Sequence, residues 1–99
     1  MTLEDPAGTP ALIDAIKHLH GADATLLEYV PIREVYKKQV VWQGNVAIFA
    51  LTGHPKAVRA YAWSQETPGT KRRFVVILHL PPVDSPIAAV RAAIAADAK

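Results

Sequence analysis

The residues able to do chemistry gather most densely in GHPKAVRAYAW, residues 53–63, where His54, Lys56 and Arg59 follow a glycine and precede Tyr61 and Trp63. A histidine followed closely by a lysine and an arginine raises the prospect of a reactive loop. The spacing argues for a corner instead. Gly53-His54-Pro55 is turn chemistry, because glycine reaches unusual φ without steric cost and proline sets φ while lacking a donor. AVRAYAW then alternates small with large side chains, which fits a strand over residues 57–65. As a strand it puts Arg59, Tyr61 and Trp63 on one face and carries them away from His54.

The other candidates form no reactive set. His18 and His20 are two apart on an expected helix and point to different sides, and His79 lies within an apolar strand. No histidine or carboxylate spacing matches a metal site. Cysteine is absent, so there is no thiolate ligand, disulfide or cysteine nucleophile. Ser64 and Ser85 are the candidate serine nucleophiles, but Ser85 is also placed to cap a helix. Glu28, Glu34 or Glu66 beside a histidine across a sheet would act as a base. No catalytic residue, metal or cofactor is assigned on these grounds.

The elements that must position these groups are legible from their punctuation. Thr9 as N-cap, Pro10 at the first turn, Leu12, Ile13, Ile16 and Leu19 on one face, and Gly21 at the end predict a helix over about 10–20. From Ala24, ATLLEYVPIREVY reads as a strand, at an edge or bulged at Pro31 because proline cannot donate to a ladder. Lys37-Lys38-Gln39 is the turn, and VVWQGNVAIFAL is a long strand with a bulge or bend expected at Gly44. After the 57–65 strand and a turn at Glu66-Thr67-Pro68-Gly69-Thr70, RRFVVILHL is a strand. A last helix starts at Pro86, capped by Asp84 or Ser85, with Ile87, Val90 and Ile94 as a narrow stripe among alanines.

The expected fold is α+β: a two-layer sandwich in α-β-β-β-β-α order, with a four-stranded antiparallel meander and two helices packed mainly on one face. With 99 residues the chain is one domain, expected over 9–99 behind a flexible tail at 1–8. MTLEDPAGTP does not read as a signal peptide, and no apolar stretch approaches the ~18 residues of a membrane helix. A soluble, cytoplasmic protein of bacterial type is the expectation.

The strands are apolar on both faces. Phe74, Val76, Leu78 and Leu80 oppose Val75, Ile77 and His79, and Trp42, Val46 and Ile48 oppose Val41, Phe49 and Leu51. Two short helices on one side leave the other to be covered by a second copy or by curling around a pocket, and closed dimers are the commonest oligomers. Trp42, Tyr61, Trp63 and His79 are therefore the candidate dimer face or pocket wall, the pocket suiting a small apolar or cationic ligand.

Net charge is +2, unevenly spread. Residues 1–32 set Lys17 against Glu4, Asp5, Asp14, Asp23 and Glu28, a net of −4; residues 33–73 set Arg33, Lys37, Lys38, Lys56, Arg59, Lys71, Arg72 and Arg73 against Glu34 and Glu66, a net of +6. A meander brings Lys37, Lys38, Lys71, Arg72 and Arg73 to one end, where they would contact anions or a nucleic acid. The helix–strands–helix order resembles the double-stranded RNA-binding domain at the level of fold, with four strands in place of three. SPIAAVRAAIAA lacks the lysine cluster that such domains turn to phosphates. The leading expectation is a non-enzymatic binding or interaction domain acting as a homodimer; the alternatives are a nucleic-acid module and a small-molecule site or enzyme.

Overall fold

The computed structural model describes residues 4–67, 69 and 71–97. Helix α1 spans Thr9–His20, strands β1 to β4 span Asp23–Tyr36, Gln39–Thr52, Arg59–Glu66 and Arg72–Leu78, and helix α2 spans Pro86–Asp97. The strands form one antiparallel sheet in the order β1-β2-β3-β4. The α+β class, the α-β-β-β-β-α order and the meander are those expected from the sequence. Gly21 ends α1 in the left-handed conformation, its N–H bonded to the Lys17 carbonyl, as the glycine stop implied. The cap position at its start is Gly8 rather than Thr9, with no side-chain cap, and the Thr9 hydroxyl instead meets the Tyr29 hydroxyl at 2.7 Å. The expected turn at 66–70 includes Pro68 and Thr70, which lie outside the described residues, as do residues 1–3 of the expected tail.

The helices do not share a face, which corrects the two-layer arrangement. Leu12 and Ile16 of α1 pack with Ala47, Phe49 and Ala62 on one side of the sheet. Ala89 and Val90 of α2 pack with Val46, Ile48, Tyr61, Trp63 and Val75 on the other. The sheet is sandwiched between one helix on each side, so each apolar face has its own cover. Side-chain volume explains the pairing. The face that presents alanines receives leucine and isoleucine, and the face that presents Tyr61 and Trp63 receives a helix of alanines that can approach closely. Trp63 and Tyr61 are accordingly core residues, at 1% and 2% exposure, and α1 already covers the opposite face.

The bulges also differ from expectation. Pro31 pairs with Asn45 and Ile32 with Gly44 in regular register. The register shifts instead between Leu26 and Glu28, and between Glu34 and Val35, leaving Leu27 and Val41 as the extra residues. Pro31 is tolerated because β1 is an edge strand. Gly44 serves packing: a Cβ there would lie 3.0 Å from Cη2 of Trp42, whose ring lies across the glycine.

β2 and β3 part company early. Their ladder runs only from Ala50↔Arg59 to Ala47↔Ala62, whereas β1–β2 pairing continues to Tyr36↔Gln39 and β3–β4 pairing to Glu66↔Arg72. The outer half of the β1–β2 hairpin is therefore a two-stranded ribbon separated from β3 by a seam.

Candidate functional site

The seam is closed by side chains. The Asp5 carboxylate accepts hydrogen bonds from the backbone N–H of Ser64 at 2.8 Å, from the Ser64 hydroxyl and from the N–H of Ala7 at 2.9 Å. It stands where a β2 carbonyl would otherwise complete the ladder. The Ser64 hydroxyl also accepts from Nε of Arg72 at 2.8 Å, so Ser64 links a carboxylate to a guanidinium. Its hydroxyl is spent in that link and buried. Asp5 itself is 4% exposed, so the packed domain begins before Thr9, inside the segment expected to be a flexible tail. On the far side of the seam, the indole N–H groups of Trp42 and Trp63 both donate to Oε1 of Gln65, at 3.3 and 3.1 Å, and the rings meet edge to face at 5.3 Å. A cleft of about 420 Å³ runs along these residues.

Two of the four histidines, His54 and His79, hold structure together. Nδ1 of His54 accepts from the N–H groups of Lys56 and Ala57, at 3.1 and 2.9 Å, which fixes the corner of GHPKAVRAYAW. Nδ1 of His79 and the Tyr61 hydroxyl share a hydrogen bond of 2.6 Å. Burial pushes the Tyr61 phenol above its ordinary value, helped by Asp84 and opposed by Arg59. No group of three or more metal-ligating side chains occurs among the described residues.

The five cations expected to form one patch divide. Arg72 is engaged by Ser64 and lies 3.7 Å from the Glu66 carboxylate, and Arg73 is paired with Asp97 at 3.0 Å. Lys37, Lys38 and Lys71 have no ion-pair partner among the described residues. Lys37 and Lys38 occupy the tip of the ribbon, both with positive φ, 51° and 65°. Nζ of Lys37 sits 5.5 Å from the centre of the Tyr36 ring.

The ribbon end carries the feature that the sequence reading missed. Val35, Tyr36, Val40 and Val41 are 47%, 64%, 45% and 44% exposed, and they adjoin the turn on both of its strands. Beside them, Val35, Tyr36 and Val41 line a groove of about 510 Å³ against Ile94, Ala95 and Arg91 of α2. Arg91 donates from Nε to the Glu34 carboxylate across the groove floor. That hydrogen bond, reinforced by the charge of Arg91, holds the Glu34 carboxyl below its ordinary value. The extra residue of the bulge is Val41, and a bulge re-aims side chains, so this valine joins the groove wall. Its exposure had no signal in a sequence that reads as a regular strand.

No protein family, no curated protein and no solved structure matches the chain. No helix among the described residues is long and apolar enough to cross a membrane.

Proposed function

We propose that this is a non-enzymatic binding domain whose contact surface is the end of the β1–β2 ribbon together with the groove it makes against α2. The observation that carries the reading is the concentration of Val35, Tyr36, Val40 and Val41 around one turn, each about half exposed. Covering such a side chain fully gains roughly 1.5–3 kcal/mol over leaving it in water, so each forgoes about half of that while the surface is bare. Contiguous exposed apolar surface at one place marks an interaction site. The strain at the tip points the same way. Two lysines held at positive φ occupy a turn that asparagine and glycine would make more easily.

The chemistry that a catalytic reading would need is committed elsewhere. The Ser64 hydroxyl bridges Asp5 and Arg72, His54 braces its corner, and the Tyr61–His79 pair is anchored in the core beneath α2. Self-association through a sheet face also loses its motive, since each face has its helix.

A photo-crosslinking amino acid placed at Tyr36 or Val41 of the full chain, in cells that express it, tests the reading. Adducts should form there and be absent with the same group at Leu19, an exposed apolar position on α1. Equal yields at all three positions, or none at Tyr36 and Val41, would sink it.

A further inference from the structure

We infer that the groove receives an amphipathic helical segment of another protein, one that carries carboxylates beside its apolar stripe. The inference rests on the ribbon end being the contact surface and adds what the occupant must be. Its shape comes first: the groove is concave, walled on one side by α2 through Ile94 and Ala95 and on the other by the ribbon through Val35 and Val41. A groove of this kind is filled by the apolar stripe of a helix, with anchors one turn apart.

Its charge comes second. Glu34, the carboxylate inside the groove, is already matched by Arg91, and Asp97 next to it by Arg73. Lys37 and Lys38, in the turn that directly follows Tyr36 of the groove lining, have no ion-pair partner among the described residues. The charge left over is positive and within about a Debye length of anything seated beside the tip, so carboxylates are attracted and cations repelled.

The competing occupants fit less well. A second copy would bring the same two lysines and the same satisfied carboxylates. The 14-residue β1 edge that might pair with a copy carries Pro31, Arg33 and the Leu27 bulge, all devices that discourage edge-to-edge pairing. A lipid surface is flat and cannot enter a concavity. Nucleic acid has no use for a wall of aliphatic side chains.

The test titrates the full-length protein with two labelled synthetic helices, identical in their leucine stripe and flanked by glutamates in one and lysines in the other. It follows fluorescence anisotropy and the amide resonances of Val35, Val41 and Ile94. The glutamate helix should bind at least tenfold more tightly than the lysine helix and shift those three resonances. The double variant Lys37→Glu, Lys38→Glu, which touches no core contact, should abolish or reverse that preference. Val41→Asp should remove binding of both helices, with circular dichroism confirming that it is folded. Equal binding of both helices at the groove overturns the charge argument and leaves the contact surface standing. Binding by neither, with a concentration-dependent dimer that Val41→Asp dissociates, makes the occupant a second copy and overturns the inference alone. Lysine-dependent binding to phosphatidylserine vesicles or to a labelled oligonucleotide, without helix binding, overturns it in favour of that partner. Binding to none of these probes, with a monomer at high micromolar concentration, removes the inference and the contact surface together.

Discussion

The carboxylate of Asp5 takes the backbone N–H of Ser64 at 2.8 Å, across 59 positions of sequence. One side chain from the segment before α1 thus completes a ladder that β2 leaves open. The buried N–H would have no partner without it, and the Ser64 hydroxyl, which accepts from Arg72, would lose the carboxylate it donates to. Asp5→Ala should therefore cost about 2 kcal/mol, the usual penalty for a buried donor left unpaired. It should appear as a lower urea midpoint with an unchanged slope. The Ser64 amide should exchange with solvent far faster than that of Ala62. A midpoint within error of the parent would mean that the seam is closed by other contacts.

Gly44 gives the Trp42 ring its place. A methyl group at this position would stand 3.0 Å from Cη2, closer than ordinary contact, so the ring must give by a few tenths of an ångström against its contacts with Trp63 and Gln65. Gly44→Ala should destabilise the fold by about 1 kcal/mol, at the low end for overpacking. Tryptophan emission should move to longer wavelength as Trp42 becomes more exposed. A blue shift with added stability would show that the indole can tilt without losing Gln65.

The lysine tip is the reverse case, a sequence chosen against local stability. Lys37→Asn with Lys38→Gly supplies the residues that a two-residue hairpin turn with positive φ prefers. Relief at the two positions should raise stability by roughly 1–2 kcal/mol, and the thermal midpoint with it. The same variant should bind the acidic test helix more weakly. Gain in stability with loss of binding would be the signature of residues kept for contact. Unchanged binding would assign the lysines no part in it.

Tyr61 ties the core to alkaline pH. Its phenol is raised by burial, so the native state holds the proton after the unfolded chain has begun to lose it, at about pH 10. The stability it contributes is complete below pH 10 and declines as pH rises from there toward the folded value. Tyr61→Phe should weaken that decline and cost about 1 kcal/mol at neutral pH, through the lost bond to His79. Absorbance at 295 nm should show one tyrosine fewer titrating late. An alkaline stability profile identical in both proteins would remove Tyr61 as the cause.

Glu34 and Arg91 bind α2 to the ribbon at the groove floor. The Glu34 carboxyl is held low, so its contribution is present above the ordinary carboxylate range and fades as pH falls through it. Glu34→Gln should flatten that acid limb and lift protection from the amides of Val35 and Ile94. Global stability should change little, because Arg91 is mostly in solvent. A large global loss would make the pair part of the fold's core support.

Local pattern carried much of this architecture. The Gly21 stop follows from short-range sterics and is found where the residues imply; the turn expected at Lys37-Lys38-Gln39 is there with Gln39 already in β2, and the strand expected over 57–65 runs from Arg59 to Glu66 with the alternation of RAYAW kept. The apolar character of both faces of RRFVVILHL was also plain; the second cover, expected from another copy or a pocket, is helix α1. The volume match was present in the sequence as well: alanines in α2 against Tyr61 and Trp63, leucine and isoleucine in α1 against Ala47 and Ala62. The match does not by itself assign the helices, because nothing local says which side of a sheet a helix near a chain end will take.

The candidate site was less legible. Asp5 looked like a tail residue, since the partner that explains it, Ser64, is supplied by a strand near the middle of the chain. Val35 and Val41 looked like ordinary strand positions. Their exposure depends on where the register slips and on how far β3 accompanies β2, and both are settled by packing between elements. Arg72 and Arg73 looked free in a run of basic residues, and only the folded chain brings Ser64 and Asp97 to them.

By itself, then, the sequence determined the elements, their order and the facing of strand residues away from the bulges, because those follow from the period of the backbone and the stops of glycine and proline. The tertiary structure alone decided the side each helix takes, the seam that Asp5 closes and the groove that leaves Val35 and Val41 bare. Those depend on contacts between distant segments, whose energies no local pattern records.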